Sequence, residues 1–287
     1  MTRQGIKELE LAAAKSRRNV LRMVEASHHG HLGGAMSCLD IVTALYFHKM
    51  NVRPEDPKWA DRDRFLLSAG HKCMVQYAVL AERGYFDKSV LDTYGGLKTK
   101  IPGHPDMHKL PGIEANTGAL GHGLSIASGM ALALRAEGKD SKVYVVMGDG
   151  ELAEGSNWEA AAVAAHYGLD NLVVFVDFNG LQISGKVQDI MNFTPVAEHF
   201  AAFGWAVRDI DGNNMEEVVS TLDALPLEKG KPNLIVAHTI KGCGVSFAEN
   251  KASYHYWTPK GDEMAQAIAE VESNIARLEN EVKEAAK

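Results

Sequence analysis

Residues 147–155 read MGDGELAEG, an exit from an apolar run through Gly148-Asp149-Gly150 that meets Glu151 and Glu154 at once. A turn needs the glycines but not the aspartate. Glycines at such an exit let backbone N–H groups approach a phosphate, with the next helix N-terminus aimed at it. So much negative charge would repel that phosphate unless a cation sits between them. Asp149 offers a hard oxygen ligand, and Asn179, about thirty residues on at the end of the next apolar run, offers another. Magnesium takes about six oxygens, usually one or two carboxylates plus substrate phosphates. Asp149, Asn179, a backbone carbonyl and a diphosphate make a sensible set. Gly-Asp-Gly alone reads as a strand-to-helix turn; with the asparagine it reads as a metal–diphosphate site.

Histidines add proton chemistry. His31, His71 and His104 each adjoin glycine or proline, and His255 follows the Lys241-Gly-Cys-Gly run; none lies inside an apolar stretch. Around a diphosphate site, four loop histidines suggest proton traffic to and from the oxygens of a polar substrate. No HExxH helix motif argues for zinc instead. His28, His29 and His108 read as structural.

These residues need a frame, and the chain supplies alternating elements. Amphipathic spacing predicts a helix over about Gly5 to Glu25, a glycine-rich break, and a second helix over "SCLDIVTALYFHKM". "RFLLS", "KVYVVM", "NLVVFVDF", "FGWAVRDI" and "PNLIVAHTI" read as strands. Helices are expected over "KCMVQYAVLAERG", closed by Gly84, over Gly121 to Ala136, up to His166, and over "NMEEVVSTLDAL". Tyr94 to Leu120 reads as a long irregular binding loop. The fold class expected is α/β: a doubly wound, mainly parallel sheet with helices on both faces. Ligands of such sheets bind outside the carboxyl ends of the strands. Gly148 to Gly150, His71, Asn179 to Leu181, and the run from Lys241 to His255 all follow strands, so they should converge there.

The bulk properties bound the function. The chain has 287 residues, 46% of them hydrophobic, with a formal net charge of −7, and it can bury a substantial core as a single domain, 1–287. Without a Lys/Arg-rich block, nothing points to nucleic acid. No apolar run approaches membrane-spanning length and the N-terminus is charged, so a cytoplasmic location is expected. Cys38, Cys73 and Cys243 are widely spaced and read as reduced thiols in or near the core.

The motifs, in order, are "GHLGGAMS", "RFLLSAGHKCMVQYAVLAERGY", "IPGHPDMHKLPGIEANTGALGHGLSIASGMALALR", "GDGELAEGSNWEA", "DFNGLQISG" and "TIKGCGVSF…SYH". They span nearly all of residues 10 to 260, and in that order the chain resembles the N-terminal, thiamine-diphosphate-binding half of a transketolase. The resemblance implies magnesium (or calcium or manganese in its place) on Asp149, Asn179 and the carbonyl of Leu181. It implies diphosphate held by Gly150 with His71 and His255, and cofactor lined by Gly118, Ala119 and Leu120. His31, His71, His104 and His255 would face the thiazolium and the sugar, moving protons and supporting a developing oxyanion. Glu154 matches a glutamate that faces the subunit interface and would couple paired sites. Gly148 and Glu151 complete the cofactor-binding stretch, though no role carries over to Glu151, a first-turn acid favoured by the helix dipole. Two places depart from the family pattern: Asp177-Phe178-Asn179, where Asp-Asn-Asn or Asp-Asp-Asn is usual, and Asp211-Gly212-Asn213-Asn214, where Asp-Gly-His-Asp is common. The second could alter contacts at the strand end.

In that family the glutamate that activates the cofactor comes from a pyrimidine-binding domain, beyond the region matched. The expectation is therefore the first subunit of a split transketolase, inactive alone and completed by a C-terminal subunit, in a heterotetramer of two plus two. It would transfer a two-carbon ketol unit from a ketose to an aldose, with pentose phosphates the default and a branched, sulfonated or otherwise modified sugar equally compatible with these residues. Alternatives are a deoxyxylulose-phosphate synthase-like or 2-oxo acid dehydrogenase subunit, or a non-catalytic assembly subunit. Residues 261–287 should form a helix whose seam, Met264, Ile268, Val271, Ile275, Leu278 and Val282, docks a partner or its own domain. The small-residue helix after Gly121 reads as interface.

Overall fold

The computed structural model describes residues 1–285. Its centre is a five-stranded parallel sheet in the order β1-β2-β3-β5-β4, with β1 at Arg64–Leu67, β2 at Val143–Gly148, β3 at Leu172–Phe178, β4 at Ala206–Asp211 and β5 at Asn233–His238. Period-2 alternation sends successive side chains to opposite faces. Tyr144, Val146, Val173, Phe175, Ile235 and Ala237 enter one core; Val143, Val145, Met147, Val174, Val176, Leu234 and Val236 enter the other. β4 is an edge strand with Arg208 and Asp209 exposed.

Helices cover both faces. The first core is closed by α1 (Arg3–Ser27), α2 (Leu32–Ser37), α3 (Leu39–Ala44), α4 (Met74–Arg83), α9 (Met215–Asp223) and α10 (Glu263–Ala285). The second is closed by α5 (Gly123–Ala136), α6 (Gly155–His166) and α8 (Val196–Ala202), while α7 (Val187–Ile190) is one short turn. Thr2 caps α1 by accepting from the Gly5 N–H at 3.2 Å, and Gly84 ends α4 at φ +91°.

The expected second helix, 37–50, is three pieces: α2 begins upstream at Leu32, α3 follows, and a π-helical turn covers Leu45–Lys49. The glycines of the expected break lie inside α2. A Cβ on Gly34 would stand 2.9 Å from Lys72 Cε, and one on Gly33 would stand 3.0 Å from Lys241 Cε. Here glycine serves close packing by two lysine stems, not a turn. The segment from Tyr94 to Leu120 contains no regular helix or strand, as its composition predicts.

α10 lies along α1. Ala267, Val271 and Leu278 are buried, and Met264, Ile268 and Ile275 pack partly buried against the same core. The apolar seam is thus used within the chain, and ion pairs such as Lys7–Glu281 and Arg18–Glu272 flank it at 3.0 and 3.1 Å. Residues 286–287 of that span lie outside the described ones. Cys38 and Cys73 are buried and Cys243 partly so, all as free thiols. Among the described residues, no helix is long and apolar enough to cross a membrane.

Candidate active site

Register aligns the strand exits. Gly148 of β2 stands beside Asp177 of β3, and Phe178 of β3 beside His238 of β5. The loops that follow therefore open on one edge, and they enclose a cavity of about 240 Å³. His71, Leu120, Gly148, Asp149, Gly150, Glu151, Asn179, Leu181 and His255, all expected from the sequence, line it.

Asp149 is 4% exposed, and its carboxylate accepts from the N–H of Gly180 at 2.6 Å and of Gly150 at 2.7 Å. Burial pushes its pKa up to about 6, against the pull of Lys72. Asn179 accepts from the Leu181 N–H at 3.2 Å, and the Leu181 carbonyl accepts from Lys241 Nζ at 2.8 Å. A carboxylate, an amide and a backbone carbonyl thus meet at one place.

The glycine N–H groups do not face outward as the sequence implies. That of Gly148 donates to Glu151 at 3.1 Å, and that of Gly150 to Asp149. Glu151 is no exposed first-turn acid either. It is 2% exposed and its carboxylate accepts from Ser68 Oγ, Gly121 N and Gly148 N, fastening those segments together. An ionised carboxylate shielded from water needs such donors. Positive charge comes instead from two lysines that the sequence reading does not single out.

Lys72 is 3% exposed and donates to Asp177, fully buried, at 2.6 Å. Burial opposes its charge, but Asp177 outweighs that and holds the pKa above the ordinary range. Asp177 also accepts from Ser37 Oγ at 2.6 Å and from Thr239 Oγ1. Lys241 is 2% exposed; burial lowers its pKa to about 8, aided by Lys72. Both lysines follow strand exits in the sequence, but nothing local marks either as buried.

Behind them lies a second buried pair. Arg17 makes a bidentate contact with Asp40 at 2.9 and 2.6 Å and donates to the carbonyl of Cys243 at 3.2 Å. Asn213 donates to Asp40 at 2.9 Å and to the Ser37 carbonyl at 3.0 Å, and accepts from the Ile240 N–H at 2.8 Å. The departure at Asn213 therefore ties the strand end to Asp40 and to the residue before Lys241.

His31, His71 and His255 form a triangle, with ring centroids 5.3 to 5.5 Å apart. His255 Nδ1 lies 3.2 Å from Lys241 Nζ. Burial, reinforced by Lys72 and Lys241 respectively, lowers the pKa of His71 to about 2 and of His255 to about 3; burial and then His104 lower that of His31. At neutral pH all three are uncharged, each with one nitrogen to donate and one to accept. His104, exposed, packs over Gly118, where a Cβ would fall 2.5 Å from its ring. Gly118, Ala119, His31 and His104 do not line the cavity itself. Glu154 is exposed outside it, its stem against Gly121. His104 and His108 are spaced as HxxxH, yet they lie in a loop. Among the described residues, no group of three His, Cys, Asp or Glu side chains is arranged to hold a metal.

The model of the thiamine diphosphate binding domain of transketolase matches residues 10–276. An apulose-4-phosphate transketolase subunit of Phocaeicola vulgatus is 42% identical over 96% of this chain and 98% of its own length. A 6-deoxy-6-sulfo-D-fructose transketolase subunit of Clostridium sp. is 42% identical over 86% of this chain and 90% of its own. The transketolase structure from Campylobacter jejuni superposes with a TM-score of 0.86 at 31% identity, over 99% of this chain. This chain spans 47% of that one, so it is similar to slightly under half of the solved enzyme. On this match the chain belongs to the transketolase family, as its thiamine diphosphate binding domain.

Proposed function

We propose that the chain is the thiamine-diphosphate-binding subunit of a transketolase made from two polypeptides. It transfers a two-carbon ketol unit from a ketose, phosphorylated or otherwise modified at the end remote from its carbonyl, to an aldose. The carrying observation is the cavity lined by Asp149, Asn179, Leu181, His71 and His255, with His31 completing a half-buried histidine triangle beside it. Relatives of similar length are named as transketolase subunits, which supports a partner that carries the pyrimidine-binding domain. A two-plus-two assembly acting in the cytoplasm completes the reading.

The walls fit a metal diphosphate. Lys72 and Lys241 stand against the carboxylates of Asp149, Glu151 and Asp177, so the surroundings are net negative and a diphosphate needs a metal cation. The oxygen donors suit magnesium. The Lys241 ammonium on the Leu181 carbonyl marks where that carbonyl presents itself to positive charge. Asp149, Asn179 and Leu181 would hold the metal, and Lys241 with His71 and His255 would border the phosphates.

Thiamine diphosphate, when bound, would supply the nucleophilic carbon and electron sink that ketol transfer needs. The chain's own residues position and protonate. Neutral His31 and His71 can each accept a hydrogen bond from a sugar hydroxyl, and a neutral imidazole takes a proton on one nitrogen as it releases one from the other. Lys241 sets the proton on His255: its ammonium donates toward Nδ1, which leaves Nε2–H free to donate to a sugar oxygen.

The test is transfer by the complex isolated from the native lysate, with thiamine diphosphate and magnesium and ribose 5-phosphate as acceptor. Xylulose 5-phosphate, apulose 4-phosphate and 6-deoxy-6-sulfofructose serve as donors. Aldose release from at least one supports the reading. Release of carbon dioxide from 2-oxo acids instead would replace it with the dehydrogenase alternative.

A further inference from the structure

The histidine triangle is the inner part of a longer row of rings. Gly30 and Trp257 form an isolated antiparallel bridge, with N–H···O distances of 2.9 and 2.8 Å. Alternation at such a bridge sends Trp257 to one side and the flanking side chains to the other. Trp257 is 3% exposed and donates to Glu263 at 2.9 Å. His29, His31 and Tyr256 emerge together on the opposite side. Tyr256 lies edge-on to His31, 4.8 Å between centroids, and stacks on His29 at 5.5 Å with 22° between planes.

The row runs from the cavity toward solvent. His71 and His255 lie innermost, His31 is half-buried, Tyr256 is 45% exposed and His29 is exposed. From the sequence His29 reads as structural, and Tyr256 carries no signal there. Packing within the chain does not account for an aromatic ring left half in water beside the proton-moving histidines.

We infer that Tyr256, backed by His29, is a specificity-determining residue that contacts the end of the ketose remote from its carbonyl. This rests on the transketolase reading above. A ketose whose carbonyl end is held near His71 and His255 must extend past His31 to leave the cavity. Tyr256 is the next surface it meets. Its ring offers a flat apolar face to the C–H side of a sugar and a phenol to its hydroxyls. Because the bridge and the Trp257 anchor fix the backbone, the ring forms a wall and not a flexible flap. A wall at this position limits chain length and branching, and leaves the chemistry at the inner histidines alone.

The experiment uses the cofactor-loaded complex, with xylulose 5-phosphate, fructose 6-phosphate and apulose 4-phosphate as donors and ribose 5-phosphate as acceptor. Tyr256→Ala should raise kcat/KM for fructose 6-phosphate relative to xylulose 5-phosphate by about tenfold, the scale on which a pocket discriminates single carbons. The change should lie in KM. Tyr256→Phe should leave that ratio within about threefold, and thiamine diphosphate affinity by calorimetry should be unchanged in both variants. Independently of turnover, nitration of Tyr256 by tetranitromethane, read by peptide mass, should be suppressed by saturating donor. An equal loss for all donors, weakened cofactor binding, or nitration indifferent to sugar would overturn the inference. A wild-type complex silent on every donor would overturn the parent reading and this one with it. A wild type that is active while the Tyr256→Ala ratio is unchanged would overturn this inference alone.

Discussion

The buried pair Lys72–Asp177 makes the sharpest energetic prediction. The two groups are 3% and 0% exposed and 2.6 Å apart. Asp177→Asn preserves shape and removes the one carboxylate that Lys72 hydrogen-bonds, leaving only the longer-range pull of Asp149 and Glu151. Removing one partner of a buried pair costs about 3–5 kcal/mol, because the other charge stays desolvated. For a chain of this size that lowers Tm by on the order of 10 °C. The loss has a pH signature. In the parent protein the Lys72 pKa is held above its ordinary 10.5, so the pair's contribution is complete below that value and lost only as pH rises beyond it. In Asp177→Asn the sign reverses: a buried, unpaired lysine has a depressed pKa. The variant is then penalised as pH falls below about 10.5, and its deficit at pH 7 should shrink toward pH 10. Urea unfolding of the protein without cofactor at pH 7, 8.5 and 10 measures both effects. Lys72→Met/Asp177→Asn should cost less than the two single changes added. A deficit under about 1 kcal/mol at pH 7, an additive double variant, or a deficit that grows with pH would refute the reasoning.

Gly34→Ala should cost about 1–3 kcal/mol and weaken cofactor binding, since the new methyl meets the Lys72 stem at 2.9 Å and Asp177 pins that stem's far end; thermal melting and calorimetry check it. Gly118→Ala, at φ +138° and 2.5 Å from the His104 ring, should displace His104 and slow transfer about tenfold or more in steady-state assays, with the far-ultraviolet spectrum preserved. His71 and His255 have folded pKa values of about 2 and 3 against an ordinary 6.5. Their contribution is complete above 6.5 and is lost as pH falls below it, so melting of the protein without cofactor should drop between pH 7 and 5. Asp149, raised to about 6 from 3.8, acts in the opposite direction, and Asp149→Asn should steepen the drop. Asp149→Ala should abolish magnesium-dependent binding of thiamine diphosphate in calorimetry; unchanged binding would remove Asp149 from the metal set.

The frame is legible in the sequence because its signals are local. Alternation in "KVYVVM" and "NLVVFVDF" and the Gly84 stop depend on neighbouring residues alone. The α2 glycines mislead because their reason is tertiary: Gly33 and Gly34 are small to admit Lys241 and Lys72, which are distant in sequence. For the same reason Lys72, Asp177 and Lys241 do not stand out. A charge reads as surface until its counter-charge is seen, and Asp177 stands 105 residues from Lys72. Glu151 shows the converse error. Its position fits a helix-dipole acid, but donors from the loop after β1, from the end of β2 and from the turn before α5 make it a fastener. The seam of α10 is legible as a seam, but periodicity does not name the surface it meets; the structure puts it on the core that α1 closes.

An activity titration tests the half-site most directly. This chain, held at fixed concentration with saturating thiamine diphosphate and magnesium, is mixed with rising amounts of the second polypeptide purified separately, and aldose release from the preferred ketose is followed. Silence from either chain alone is expected, with a rate that climbs to a plateau at one equivalent. Transfer by this chain alone would show that it carries its own activating group and contradict the half-site reading.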